Sequence, residues 1–194
     1  KGKFGSQKDF YKKKCGYEEN TFDASLPALQ WGIRYEEVAN MFYKLKFNVN
    51  VDEFGLLPHP KYPFLGASPD GISSMGIMLE IKCPWKRKRT DTIPEQYYYQ
   101  IQGQLEVCNL EECDYLECYI QEYDDFDSMI KDKTYVYKGQ VWELPDGKYK
   151  YGNINEFYPE NTYKCYYYGI KDWFVKRVKR DRSFFEEIFP QLKT

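Results

Sequence analysis

Two short segments restrict the fold of this chain more than any other feature: Ser-Pro-Asp-Gly at residues 68–71 and Leu-Glu-Ile-Lys-Cys-Pro at residues 79–84. The first is typical of a tight turn, and the second alternates apolar and polar residues as a β-strand does. Because side chains two apart on a strand share a face, Glu80 and Lys82 are expected to point the same way. Serines and a glycine between the segments indicate a second turn. The pattern therefore predicts a bent hairpin that places Asp70 beside Glu80 and Lys82.

Two neighbouring carboxylates need either a cation between them or a proton on one of them, because burial of like charges is costly. Hard oxygen ligands of this kind suit an ion such as Mg²⁺. An adjacent ammonium group orients a water molecule and stabilises the hydroxide formed from it, as in metal-assisted phosphodiester cleavage. The alternative is an ordinary edge-strand ion pair of Glu80 with Lys82, the usual interpretation of an isolated Glu-x-Lys. Only the upstream Pro-Asp favours the metal site.

The length and composition allow one sizeable core, since the chain has 194 residues and 42% hydrophobic content. We expect a single domain over residues 1–194, with the alternative that a further N-terminal piece precedes Lys1. The formal net charge of −2 argues against a uniformly basic surface. A DNA partner would therefore be contacted by local basic patches.

Two such basic patches are present, at residues 86–89 and at residues 176–182. The first directly follows the candidate strand, and its Lys86, Arg87 and Arg89 are predicted to contact DNA phosphates. Ordinary solvated surface is the alternative for both patches, and a nuclear-import signal is a further alternative for the first.

No apolar run is long enough to span a bilayer, and the N-terminus is not typical of a signal peptide. We expect an intracellular protein, whose six cysteines are then reduced thiols. The even spacing of Cys108, Cys113 and Cys118 raises the question of an iron–sulfur cluster. That spacing is looser than a clustered Cys-x-x-Cys pattern and favours ordinary thiols.

The first helix is predicted to begin near Asp23, Ser25 and Pro27, a combination typical of helix starts. Glu36 falls at the edge of its apolar face, where a glutamate is usually only solvated. That face is predicted to comprise Trp31, Tyr35, Val38, Phe42 and Leu45.

A strand is predicted at residues 47–51, followed by a proline-rich loop at residues 55–63. This loop carries the only histidine, His59, which is left without an assigned role. A second helix is predicted from Pro94 to about Cys108. Gln100 on that helix either faces the acid cluster or is an ordinary surface amide.

Further strands are predicted at residues 115–122 and 134–141. Residues 163–170 form either a strand or the approach to a terminal helix at residues 183–192. The order helix, strands, helix, strands, helix predicts an α/β (α+β) fold in which a central mixed β-sheet is flanked by helices.

Four blocks in this order, with gaps that let their groups meet, give the chain a resemblance to a known family. The chain resembles the PD-(D/E)xK nucleases, and within them the phage lambda exonuclease and YqaJ-type viral recombinase group. Residues 179–190 are similar to the closing segment of that group, and the likeness runs from about Ala28 to the end. The resemblance implies a restriction-endonuclease-like core. The four blocks are residues 31–36, 66–71, 79–84 and 97–102.

The resemblance implies a metal site made by Asp70, Glu80 and the carbonyl of Ile81, with Glu36 reaching it from the first helix. The group commonly works with two Mg²⁺ ions, for which Mn²⁺ can substitute. One ion serves the nucleophile and the other the leaving group.

The resemblance also implies roles for other residues. Lys82 would position and activate the attacking water, and Gln100 would steady that lysine or the water. Ser68 corresponds to a serine that binds the 5′ phosphate of the DNA end, and Ser6 to a second such serine. The arginine that partners them in the family would fall before the first residue, and Lys1 or Lys3 is the candidate substitute.

The function implied is that of a Mg²⁺-dependent deoxyribonuclease that degrades duplex DNA from a 5′ end in viral or phage-type recombination or in DNA repair. The alternatives are an endonuclease or nickase with the same core and a non-catalytic nucleic-acid-binding module. Relatives act as ring-shaped trimers or as monomers, and viral ones often operate with a single-strand annealing protein. A viral origin would place the protein in the host cytoplasm or nucleus.

Overall fold

Helix α1 (Pro27–Phe47) begins the part of the chain described by the computed structural model, which comprises residues 26–192. Pro27 occupies its first turn, where a missing backbone N–H costs nothing. The predicted start residues Asp23 and Ser25 lie outside the described residues. Four of the five predicted core side chains of α1 are buried, whereas Leu45 is 69% exposed and was wrongly assigned to the core. Periodicity identifies a helix face but not where the opposing surface ends.

The predicted strand at residues 47–51 is wrong, because α1 continues to Phe47. Asn48 then adopts a left-handed conformation with φ 51°, and its N–H bonds the carbonyl of Lys44. Lysines in the last turn favour this helix end because they face the negative end of the helix dipole. Only Val51–Asp52 forms a strand there, β1.

Two short strands, β2 (Leu57–Pro58) and β3 (Gly66–Ala67), form a separate pair. The later strands are β4 (Gly71–Ser73), β5 (Met78–Lys82), β6 (Glu112–Tyr123), β7 (Tyr137–Glu143), β8 (Tyr149–Gly152) and β9 (Lys164–Lys179). Within residues 26–192, the central sheet has seven strands in the order β1-β4-β5-β6-β9-β7-β8. Among these strands only β5 and β6 pair in parallel, and every other neighbour is antiparallel. The prediction of a mixed sheet flanked by helices is thus confirmed.

Three further helices complete the described chain: α2 (Glu95–Cys108), α3 (Phe126–Lys131) and α4 (Arg182–Leu192). The predicted second and terminal helices are confirmed. The ambiguous stretch at residues 163–170 is a strand, since it begins β9, which continues through most of the second basic patch.

Alternating side chains of β5 enter two separate cores, as the strand pattern predicts. Leu79 and Ile81 pack with α1. Met78 packs with Ile101 and Leu105 of α2 on the opposite face. Glu80 and Lys82 therefore lie on the α2 face of the sheet, whereas α1 covers the other.

His59 is buried beside α2 rather than exposed in its loop. Its Nδ1 accepts the backbone N–H groups of Lys61 and Tyr62 at 3.0 and 3.2 Å, and its Nε2 lies 3.5 Å from Glu106. These contacts give the imidazole a structural role, which ties the β2–β3 segment to α2.

Candidate functional site

The β4–β5 hairpin carries Asp70 alongside the last residues of the neighbouring strand β5. Gly71 pairs with Leu79, and the backbone N–H of Ile81 donates to Asp70 Oδ2 at 2.6 Å. A Cβ atom at position 71 would lie 2.3 Å from the side chain of Val51 on the neighbouring strand β1, so the close approach of the two strands requires glycine here. The hairpin thus fixes Asp70 against β5, in the place that the two-turn pattern predicts.

Glu80 is fully buried, with 0% of its surface exposed. One of its carboxylate oxygens forms an ion pair with Lys82 Nζ, and the other accepts from Gln104 Nε2 at 3.0 Å. Lys82 Nζ also donates to the carbonyl oxygen of Ile81 at 3.1 Å. The structure therefore brings Asp70, Glu80 and Lys82 together at the end of β5.

Asp70 holds its proton much more tightly than an ordinary carboxyl group. Burial, followed by the charges of Glu80 and Glu36, raises the pKa of Asp70 to about 7, against the opposing hydrogen bond from Ile81. Burial lowers the pKa of Lys82, but the charge and hydrogen bond of Glu80, together with the charge of Asp70, outweigh this effect and leave the pKa of the lysine raised. The acids of this cluster, Asp70, Glu80 and Glu36, thus outnumber its single cation, Lys82.

Glu36 joins this cluster from α1. Glu36 is an exposed residue, yet partial burial raises the pKa of its carboxyl group, which Lys82 lowers and Glu80 raises further. Two clefts meet at Glu36 and Ile81: one of about 240 Å³ that also contains Ser68 and Asp70, and one of about 410 Å³ that also contains Lys82. Asp70, Glu36 and Lys82 thus line clefts on the two sides of Ile81, whereas Glu80 is buried behind them.

The donor set matches the chemistry of a hard divalent cation, because it consists of carboxylate and carbonyl oxygens. The charges of Glu80 and Glu36 raise the pKa of Asp70, and the charge of Glu80 raises the pKa of Glu36, an unfavourable effect that a cation among them would relieve. In residues 26–192, however, no three Asp, Glu, His or Cys side chains stand at metal-ligand spacing. Glu80 is held by Lys82 and Gln104, so cation binding would require one of these contacts to loosen.

Gln104, rather than Gln100, contacts the acid cluster from α2. Gln100 is exposed one helical turn earlier and makes no hydrogen bond to Glu80 or Lys82. The predicted contact of Gln100 is therefore corrected, because the turn that faces β5 lies four residues further along. Gln102, between them, instead bonds the backbone at the start of α4. The amide spacing in the sequence gave no signal that distinguishes these positions.

Ser68 is exposed and lines both the smaller acid cleft and a groove between α2 and α4. Its predicted contact with a DNA phosphate stays a prediction. Ser6, Lys1 and Lys3 lie outside the described residues.

The arginines of the first basic patch have internal partners. Arg87 forms an ion pair with the buried Glu117, and Arg89 pairs with Asp91 and Asp172, at 2.6 Å in the second case. Each guanidinium group thus already pairs with a carboxylate, and the predicted contacts of Arg87 and Arg89 with DNA phosphates stay a prediction. Lys86 is exposed, with its Nζ 4.0 Å from the ring centroid of Trp85.

Tyr97 is a site residue that the sequence analysis missed. Its ring centroid lies 5.2 Å from Lys82 Nζ and 5.5 Å from Arg87 Cζ, so the ring is near both cations. Cations over an aromatic face are attracted to it. Tyr97 was part of the resemblance, but nothing in its spacing indicated a contact with Lys82.

Comparison with solved structures places this fold among exonucleases. An alkaline exonuclease from Laribacter hongkongensis, LHK-Exo, superposes with a TM-score of 0.59 at 22% identity, covering 100% of this chain and 79% of that one. The same exonuclease in complex with dAMP gives a TM-score of 0.57 at 23% identity, covering 98% and 78%. A phage-related exonuclease from Haemophilus somnus 129PT gives 0.60 at 13% identity, covering 96% and 75%. At these identities the likeness establishes the fold.

The family is established by sequence. The pattern of the YqaJ-like viral recombinase domain matches residues 2–111, more than half of the chain, and the protein belongs to this family. An uncharacterized protein of Acanthamoeba polyphaga mimivirus is 37% identical over 148 residues. The match covers 65% of this chain but only 26% of that viral protein. Family and fold together support a nuclease role. Within residues 26–192, no helix has the length and apolar character needed to cross a membrane.

Proposed function

We propose that this protein is a Mg²⁺-dependent deoxyribonuclease that degrades linear duplex DNA from a 5′ end, in viral or phage-type recombination or DNA repair. One observation carries the proposal: Asp70, Glu80 and Lys82 meet at the end of β5, with Glu36 beside them and open clefts on both sides. A cleft in which acidic groups outnumber cations suits a metal ion, and the bound metal ion in turn suits a phosphodiester.

Asp70, Glu80, Glu36 and the carbonyl of Ile81 would hold Mg²⁺, or Mn²⁺ in its place, as one ion or a pair. When bound, such ions polarise the phosphodiester and lower the pKa of a bound water. The raised pKa of Asp70 means that this carboxyl group gives up its proton as the cation binds.

Lys82 acts on the attacking water as a hydrogen-bond donor. Its pKa is raised by the charge of Glu80, so the ammonium form persists at neutral pH. Its Nζ lies between Glu80 and the carbonyl of Ile81, with the ring of Tyr97 on another side. These contacts hold the ammonium group beside the acid cluster, which supports the proposal that it would orient a water for attack on the phosphorus.

The comparisons support DNA as the substrate, because the family is a viral recombinase domain and one neighbour of similar fold was crystallised with dAMP. A single-strand annealing protein as partner, assembly into a homo-oligomer, and a location inside the host cell, in cytoplasm or nucleus, belong to the same proposal. The viral relative supports a viral setting.

Digestion of linear duplex DNA tests the proposal. One sample carries the label at the 5′ end and a matched sample carries it at the 3′ end, with Mg²⁺, Mn²⁺ or EDTA present. A 5′-to-3′ exonuclease releases the 5′ label at once as a mononucleotide, and the 3′ label stays on long strands. Lys82→Ala should retain DNA binding without cleavage, and undiminished cleavage by this variant would contradict the proposal.

Two other outcomes identify the alternative functions. Conversion of closed circular DNA to nicked or linear forms would indicate an endonuclease or nickase with the same acid cluster. A non-catalytic binding module would show no cleavage and no heat of Mg²⁺ binding that depends on Asp70, which calorimetry on the protein and on Asp70→Asn measures.

A further inference from the structure

A groove beside the acid cluster has a chemical character unlike the rest of the surface. We call it the amide groove: Gln96, Gln100 and Gln104 of α2 form one wall, Phe184 and Ile188 of α4 form the other, and Ser68 lies at one end. It encloses about 640 Å³, within the range of small-molecule sites. The three glutamines recur every fourth residue, so they form a row along one side of α2.

None of the described residues that line the amide groove carries a charge, although 30% of the whole chain is charged. Aromatic rings also border the groove, where Tyr99 of α2 and Phe184 of α4 stack with centroids 5.1 Å apart and an interplanar angle of 24°. The glutamines of the α2 wall offer amide donors and acceptors. An occupant that suits both walls has a flat apolar face and a polar but uncharged edge.

Gln104 provides an independent sign of a ligand. It is only 6% exposed, and its Nε2 donates to Glu80 Oε2 at 3.0 Å. The oxygen Oε1 of the same amide is buried and has no hydrogen-bond partner in the described chain. A buried acceptor without a donor costs about 1–3 kcal/mol, which a ligand N–H would recover after a rotation of the Gln104 amide towards the groove.

We propose that the amide groove binds an unpaired nucleobase of the DNA strand whose phosphate lies at the acid cluster. A nucleobase is flat and uncharged, its faces stack on aromatic side chains, and its edge carries N–H donors and acceptors. Ser68 lines both the acid cleft and the amide groove, and Gln104 touches Glu80 from the groove side. The base would thus lie next to the nucleotide being cut. This inference rests on the proposed function.

Gly103 allows the groove to be closed without disturbing the helix. It lies among the lining residues, and a Cβ added there meets no atom within 4 Å. Gly103→Trp places an indole in the groove, and Gly103→Met fills less of it. Gly103→Ala is the matched control, because its methyl group leaves the groove open. All three replace a helical glycine by a better helix former, so folding is expected to be retained and thermal unfolding checks it.

The experiment measures binding of short 5′-phosphorylated single strands in EDTA by fluorescence anisotropy, so that no cleavage is needed. Strands with an abasic site at the first, second or third nucleotide are compared with the intact strand. The unmodified protein and Gly103→Ala should lose about tenfold in affinity for an abasic site at one of these positions only, as expected for one stacked base. Gly103→Met and Gly103→Trp should bind the intact strand more weakly and lose this dependence.

Equal affinity for all abasic strands would overturn the amide-groove proposal, and so would a dependence on position that survives in folded Gly103→Trp. Either result leaves the nuclease proposal standing if linear DNA is degraded. If the unmodified protein does not cleave DNA but still binds more weakly to strands with an abasic site at one position only, the result would contradict only the nuclease proposal. Dissociation of an oligomer by Gly103→Trp in sedimentation, with unchanged DNA binding, would assign the groove to contacts between copies of this chain and overturn its role in base binding.

Discussion

Two buried glutamates on neighbouring strands face the same helix but have different surroundings. Glu80 on β5 and Glu117 on β6 are 0% and 1% exposed, and Lys82 is the register partner of Glu117. Glu117 is bound by Arg87 and by the hydroxyls of Tyr115 and Tyr119. It is a single carboxylate whose charge is matched by one cation and two further donors.

The centre at Glu80 is not matched in this way. One lysine faces Glu80, Asp70 and Glu36 together, and the pKa of Asp70 is raised to about 7 as a result of burial and of these neighbouring charges. Burial alone therefore does not mark a functional glutamate. A balanced ion pair holds the structure together, whereas uncompensated negative charge in a cleft leaves a place for a cation and indicates function.

The strongest test of this contrast is Glu80→Gln. Loss of a ligand carboxylate is expected to reduce Mg²⁺-dependent cleavage by at least about 100-fold. Folding should be little affected, because the substitution also removes repulsion against Asp70. Initial cleavage rates and thermal unfolding of the same preparation give both values. A variant that cuts normally would place the metal site elsewhere.

Glu117→Gln is expected to have the opposite profile. Loss of the charge-assisted hydrogen bond from Arg87 should lower the free energy of unfolding by about 2–3 kcal/mol. The cleavage rate per folded molecule should stay within a few-fold of the original. Urea denaturation measures the first quantity and active-site titration with DNA corrects the second. Equal stability of the two proteins would remove the distinction between the centres.

The pH dependence of stability should also separate the two centres. In the unfolded chain Asp70 loses its proton near its ordinary pKa of 3.8, but in the folded protein it keeps the proton up to about 7. Between these values the folded state binds more protons, so without metal its stability falls as pH rises. Asp70→Asn should flatten the fall in melting temperature between about pH 5 and pH 7 in EDTA. Glu117→Gln should leave that slope in place.

The smallest expected effect belongs to Tyr97, whose ring is near both Lys82 of one centre and Arg87 of the other. Tyr97→Leu removes the aromatic face and should lower kcat by a few-fold, equivalent to about 0.5–1 kcal/mol, with little change in KM. Tyr97→Phe keeps the face and should restore the rate. A loss of rate shared by both variants would instead point to the hydroxyl group.

Much of the fold could be predicted because its signals are local. The apolar alternation of β5, the turns on either side of β4 and the periodicity of α1 and α2 all lie in continuous stretches. The strand predicted at residues 47–51 failed because helix and strand patterns are indistinguishable in a short apolar run, and the capping by Asn48 decided the outcome.

The sequence by itself determined the two-turn hairpin, the shared face of Glu80 and Lys82, and the family, since these depend on residue spacing along one strand. Only the tertiary structure decided that Gln104 and not Gln100 reaches Glu80, that Arg87 neutralises Glu117, and that Tyr97 lies over Lys82. Such contacts depend on the angle and height at which a helix packs on a sheet. A shift of one turn exchanges the residues that touch, and a spacing pattern repeated along the helix is the same before and after the shift.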